Sequence, residues 1–186
     1  LDLEAIQQIN EAVRINNFQG TPLKVGDKLF IITALNQVAA LDPINGETLW
    51  SFNPEVYLSG SPINYIGYHN RGLAYWTDGE NERILAGLND GYLLSLDAAT
   101  GEPDPAFNGG KIDLAEGLPR ATRDVLDWTG AQPLAVVSPP IVVDDIVVTS
   151  SITQARPINR ERPPMWVRGY NIVTGEHVWD FHTIPE

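Results

Sequence analysis

One turn, used three times, constrains this chain more than anything else in it. Its first copy is Ala40-Leu41-Asp42-Pro43-Ile44-Asn45-Gly46-Glu47-Thr48-Leu49-Trp50. It returns as Leu96-Asp97-Ala98-Ala99-Thr100-Gly101-Glu102 and as Gly169-Tyr170-Asn171-Ile172-Val173-Thr174-Gly175-Glu176-His177-Val178-Trp179. The common pattern is an apolar strand end, Asp or Asn, three variable residues, then Gly-Glu. Asp and Asn hydrogen-bond their own backbone two residues on, which caps a turn. Glycine supplies the positive φ that other residues adopt only at a cost. Trp50 and Trp179 stand at the same offset from Gly46 and Gly175. That shared offset predicts both to be mostly buried, each against a neighbouring sheet.

The repeat extends upstream. Thr21-Pro22-Leu23, Ser61-Pro62-Ile63 and Ser138-Pro139-Pro140-Ile141 each open a unit with a hydroxyl residue, proline and an apolar residue. The expected organisation is a lead-in over 1–20 and blade-like repeats over 21–54, 61–110 and 138–186. Gly26-Asp27, Asn89-Asp90-Gly91 and Asp144-Asp145 read as hairpin turns between apolar strands. Such units cannot bury both sheet faces alone, so the pattern points to a propeller or a solenoid. Uneven spacing of the three turns favours sheets with variable loops. The expected fold is therefore all-β, with antiparallel four-stranded blades and long loops. Leu3, Ile6, Ile9 and Val13 fall at near-helical spacing, and a short helix or an ordering tail fits them equally. Residues 102–137 carry little strand pattern, and a stretch of that length in a strand protein points to function.

Composition enters as a filter. The net charge is −12, which repels nucleic-acid phosphates and anionic membrane surfaces. There is no cysteine, so disulfides, thiol nucleophiles and thiolate metal sites are excluded. No apolar run approaches membrane-spanning length, and Leu1-Asp2-Leu3-Glu4 does not read as a signal peptide. The chain reads as a piece of a longer protein. Any membrane association would come only through segments not present here.

At these residues the chain resembles a known family, the quinoprotein dehydrogenases that use pyrroloquinoline quinone (PQQ). Ala-Leu-Asp-x-x-x-Gly-Glu-x-x-Trp resembles their tryptophan-docking motif. Asn70-Arg71-Gly72-Leu73-Ala74-Tyr75-Trp76 resembles their Arg-Gly-x-x-Tyr segment, and residues 166–185 resemble the strand and turn after their cofactor loop. The match spans roughly residues 18–186, and its nearest flavour is the membrane-type glucose dehydrogenase branch. The resemblance implies a partial β-propeller, about three blades of eight, from an enzyme that oxidises a sugar or alcohol. PQQ and a divalent metal, Ca²⁺ or Mg²⁺, would sit on the axis, with a quinone or cytochrome accepting the electrons. It also implies a periplasmic location.

Site residues follow position by position. Gln19 lies where the family often has a Glu near a PQQ carboxylate. Arg71 lies where an arginine pairs with such a carboxylate, and a planar fork suits that anion. Ser150 and Ser151 match a serine pair near the quinone ring. Gln154 lies close to a metal-ligand position, but Thr153-Gln154-Ala155 carries no carboxylate, and a hard cation prefers charged oxygen. Tyr65-Ile66 replaces the adjacent cysteines of the alcohol-oxidising branch, which favours the sugar-oxidising one. The family's catalytic Asp and quinone-contacting Lys belong to later blades, so no catalytic residue is assigned here, and the fragment alone is expected to be inactive. A plainer reading stands beside each assignment: a structural arginine for Arg71, strand-end hydroxyls for Ser150 and Ser151. A propeller that keeps the repeats as a binding or assembly module without cofactor is the competing function. His69, His177 and His182 lie in separate units without zinc-type spacing.

Overall fold

The computed structural model describes residues 3–11, 13–15, 18–60, 67–120, 134–153 and 163–183. Among the described residues a short helix, α1 (Leu3–Ile9), precedes twelve strands. The first sheet comprises β1 (Leu23–Val25), β2 (Lys28–Ile32), β3 (Val38–Leu41) and β4 (Thr48–Phe52). The second comprises β5 (Ala74–Thr77), β6 (Glu82–Gly87), β7 (Tyr92–Asp97) and β8 (Lys111–Asp113). The third comprises β9 (Ile141–Val143), β10 (Ile146–Ser150), β11 (Val167–Asn171) and β12 (His177–Phe181). Every sheet is an antiparallel meander in sequence order. The sheets do not close on one another, as a partial propeller requires.

The three turns share one geometry. Gly46, Gly101 and Gly175 have φ of 75°, 77° and 76°. Their amides donate to the carbonyls of Asp42, Asp97 and Asn171. The Asp42 carboxylate accepts from the Ile44 amide at 2.7 Å, Asp97 from Ala99 and Thr100, and Asn171 from Val173 and Thr174. One local rule, Asx cap plus left-handed glycine, thus ends the third strand of each sheet.

Two cores separate the sheets. Phe30, Ile32, Val38 and Ala40 pack with Ile84, Ala86, Leu94 and Leu96 between the first and second. Trp76, Leu85, Leu93 and Ile112 pack with Val147, Tyr170 and Ile172 between the second and third. The second sheet is therefore buried on both faces, as successive side chains of β6 alternate between the two cores.

Trp50 is half-buried and lies over Gly101 in the turn of the second sheet. A Cβ on Gly101 would come 2.4 Å from the indole ring, and the indole Nε1 donates to the Ala98 carbonyl at 3.2 Å. Trp179 corrects the expectation of burial. It is 37% exposed and lies over Gly169 of its own sheet, its cross-strand partner. No described sheet flanks it on the outer side, so the ring has only its own backbone to cover. Residues 102–120 also depart from the expected loop over 102–137, of which 121–133 lie outside the described structure. They contain β8, which completes the second sheet, and Phe107, Ile112 and Leu114, which enter its core.

Candidate functional site

The topology decides which loops meet. The second strand of each sheet runs antiparallel to the first, so it ends where the first begins. The approaches to β1, β5 and β9 and the ends of β2, β6 and β10 therefore share one end of the assembly. The starts of all three sheets are tied there by a ladder between units. The Thr21 amide donates to the Arg71 carbonyl at 2.9 Å, and the Arg71 amide donates to the Val137 carbonyl at 2.9 Å. The Val136 amide donates to Leu88 at 2.8 Å, while Ala135 and Ile152 exchange a pair of bonds. Thr21 pairs with Gly72 in a parallel bridge, and Arg71 bonds to both neighbours through its backbone. Residues 61–66 lie outside the described structure.

Gln19, Arg71, Ser150 and Ser151 are all placed at this end. Gln19 is exposed, and the adjacent Gly20 packs so closely on the Ile32 carbonyl that a Cβ would come within 2.8 Å. Ser150 closes β10 and is exposed, and Ser151 is buried beside the Ala135–Ile152 pair. Gln154 lies outside the described residues. Arg71 has its backbone fixed on both sides and its side chain exposed. Among the described residues its guanidinium has no ion-pair partner. Gly72, at φ 150°, approaches the Thr21 carbonyl and leaves no side chain beside it. An exposed guanidinium on a bonded backbone, with no ion pair among the described residues, has the planar fork that matches a carboxylate. No group of three or more acidic or histidine side chains able to hold a metal occurs among the described residues.

Beneath this end lies a polar layer that the sequence reading did not identify: Asn36, His69, Asn70 and Asn89, all buried. The Asn-Asp-Gly sequence signalled a turn there, but a turn signal reports backbone and says nothing of where the Asn89 amide points. Nearby, Tyr68 donates to the Gly60 carbonyl at 2.6 Å. Burial raises its hydroxyl pKa, and the Asp90 charge adds to the effect, so it stays a neutral donor.

A second constellation lies away from this end, between the second and third sheets. Arg168 donates to Asp180 at 2.7 Å and to the carbonyls of Leu114 and Glu116 at 3.2 and 2.9 Å. Burial pushes the Asp180 carboxyl up, but hydrogen bonds from Arg168 and His177 outweigh it and hold it below the usual range. Arg168 joins the third sheet to the second unit, and Asp180 and His177 hold it from within the third sheet, which makes this a structural group.

Three four-stranded meanders around a shared end, tied by bonds between the approaches to their first strands, define the chain as part of a radial β-propeller. Comparison with known proteins makes the assignment specific. The family described as PQQ, glucose/ethanol/alcohol dehydrogenase, beta-propeller domain, matches residues 2–186, and the chain belongs to it. It is 29% identical over 167 residues to a glycerol dehydrogenase large subunit of Gluconobacter thailandicus, covering 86% of this chain and 21% of that protein. It is 29% identical over 186 residues to the quinoprotein glucose dehydrogenase of Escherichia coli (strain K12), covering 95% of this chain and 22% of that one. Among solved structures, a quinohemoprotein alcohol dehydrogenase from Comamonas testosteroni superposes with a TM-score of 0.66 at 21% identity, over 94% of this chain and 22% of that one. The chain thus spans about a fifth of the length of the relatives it matches.

Proposed function

We propose that the full-length protein carrying this chain is a PQQ-dependent dehydrogenase that oxidises a sugar or an alcohol and passes the electrons to a quinone or cytochrome. The observation that supports the reading is Arg71: an exposed guanidinium, on a backbone bonded on both sides, at the end where the blades converge. When bound, PQQ supplies a two-electron acceptor, while the protein supplies binding and orientation. Arg71 would hold a cofactor carboxylate through its fork. The Gln19 amide would donate to a second carboxylate, and Ser150 and Ser151 would offer hydroxyls toward the ring. Gln154 would contribute to a Ca²⁺ or Mg²⁺ site through its carbonyl oxygen. We place the protein in the periplasm on its kinship with the quinoprotein dehydrogenases. No described helix is long and apolar enough to cross a membrane.

The relatives favour an enzyme over a cofactor-free module, since they carry dehydrogenase names and share most of this chain. Arg71→Lys keeps the charge but loses the planar fork. In the full-length apoprotein, PQQ affinity should fall about tenfold for Arg71→Lys and further for Arg71→Ala. Titration of tryptophan fluorescence with PQQ measures both. An Arg71→Ala variant that binds PQQ as tightly as the parent removes the role. Residues 1–186 alone, mixed with PQQ, Ca²⁺ and glucose, should show no turnover with an artificial acceptor.

A further inference from the structure

We propose that Asn89 is the positioning residue of the Arg71 anion site: its side chain fixes the strand approach that presents the guanidinium to the axis. The inference rests on Arg71 being the cofactor-carboxylate partner.

Asn89 is 6% exposed and sits in the turn between β6 and β7. Each of its polar groups apart from the carbonyl is committed, and to three different units. Its amide N–H donates to the Asn36 Oδ1 of the first sheet's turn at 2.6 Å. Its Oδ1 accepts from the His69 amide at 3.0 Å, and its Nδ2 donates to the His69 carbonyl at 2.9 Å. The second proton of Nδ2 goes to the Val136 carbonyl at 3.1 Å. The orientation of the amide is forced, since two partners are carbonyls that only accept and one is an N–H that only donates.

These bonds bracket Arg71. Asn89 holds His69 on both backbone groups, two residues before Arg71. It also holds Val136, while Arg71 itself is bonded to the next carbonyl, Val137. Between them, Asn70 Nδ2 donates to the Gly87 carbonyl at 2.7 Å, and Asn70 Oδ1 accepts from the Gly72 amide at 3.1 Å. Gly67 seals the other end, where a Cβ would come 2.4 Å from the Arg14 carbonyl. The exposed guanidinium thus stands on a backbone held by its own bonds to Thr21 and Val137 and braced on either side, at His69 and Val136, by one buried amide. Without that amide the approaches to β5 and β9 keep the Arg71–Val137 bond but lose the brace beside it, and Arg71 keeps its charge on a looser footing.

The test is a double-mutant cycle on PQQ binding by the full-length apoprotein, with thermal unfolding of each apoprotein as control. Asn89→Ala removes the bridge. Asn89→Asp keeps the shape but turns an oxygen toward the His69 and Val136 carbonyls. Each should weaken PQQ binding about tenfold in the parent and less than about twofold in the Arg71→Ala background. Asn36→Ala, which removes the acceptor of the Asn89 amide together with the Asn36 bond to the Ala34 carbonyl and puts alanine at φ 61°, should give a smaller loss with the same dependence on Arg71, and it carries the test if Asn89 variants do not fold. A lowered melting temperature with unchanged PQQ affinity overturns the inference. An equal loss in the parent and in the Arg71→Ala background also overturns it, because the effect then does not pass through Arg71. Should Arg71→Ala itself bind PQQ like the parent, both this inference and the cofactor reading fall. A weakened Arg71→Ala beside an unaffected Asn89→Ala sinks this inference alone.

Discussion

The two seams between the sheets are closed by different chemistry. Between the first and second, an indole covers a bare glycine: Trp50 lies on Gly101 and donates to Ala98. Between the second and third, the corresponding glycine, Gly175, meets Ile112, whose Cγ2 would stand 2.9 Å from a Cβ there. The smaller side chain leaves room, and charged groups occupy the seam instead. Arg83 pairs with Asp104 at 2.5 Å and also donates to the Ile172 carbonyl of the third sheet. Its guanidinium lies 5.2 Å from the Trp76 ring centre, and Trp76 Nε1 donates to Asp145 at 3.2 Å. One turn geometry therefore accepts either a large ring or a small aliphatic group backed by buried charge. What repeats is the docking glycine; what covers it is free to vary.

The sharpest break of this contrast is Arg83→Ala. Both partners of the pair are largely buried, so removal strands Asp104, at a cost of about 3–5 kcal/mol in urea unfolding. A cost near zero would mean that the second seam rests on apolar contact alone. Next comes tryptophan truncation. Trp50→Ala should cost about 2–4 kcal/mol, since the ring is half-buried and hydrogen-bonded, and Trp179→Ala should cost about 1 kcal/mol. Equal costs would erase the distinction between a docked and an undocked indole.

The glycines separate backbone from packing. Gly46 and Gly101 share the same φ, but a Cβ on Gly46 meets nothing within 4 Å. Gly46→Ala should therefore cost only the left-handed backbone, about 1–2 kcal/mol. Gly101→Ala adds a clash with Trp50, for about 2–5 kcal/mol together. Differential unfolding of the two variants measures the docking term directly. The smallest effect is at Tyr170. Its hydroxyl is buried with no partner at hydrogen-bonding geometry among the described residues. Burial, opposed by Arg168, pushes it up to about 12. The unfolded hydroxyl ionises near about pH 10, so this contribution to stability is intact below that pH and is lost as pH rises toward the folded value. Tyr170→Phe should flatten that alkaline slope and be neutral or stabilising by up to about 1 kcal/mol at neutral pH.

What the sequence disclosed follows the same division. The capped turns, the hairpins at Gly26-Asp27 and Asp144-Asp145 and the all-β class were legible because each rests on local chemistry: an Asx side chain, a glycine, an alternating strand. β8 was not, because three residues after Gly109-Gly110 are too short to show alternation. Trp179 misled because an offset within a unit cannot report whether a neighbour covers the ring. The end where Arg71, Gln19, Ser150 and Ser151 lie was reached through resemblance; that Arg71 bonds to Val137 depends on three distant segments, which no local pattern encodes. Asn89 was hidden for the same reason, since its partners come from residues 36, 69 and 136.

The ladder through Arg71 also has a consequence in time. Each four-stranded meander pairs strands adjacent in sequence, so a unit can close as soon as its own residues have been made. The Arg71 amide is an exception, because its acceptor, Val137, lies beyond the whole of the second sheet. A nascent chain should therefore complete two sheets before this arginine acquires its final setting. On the role proposed for Arg71, anion capture is then withheld until the chain has been made past residue 137.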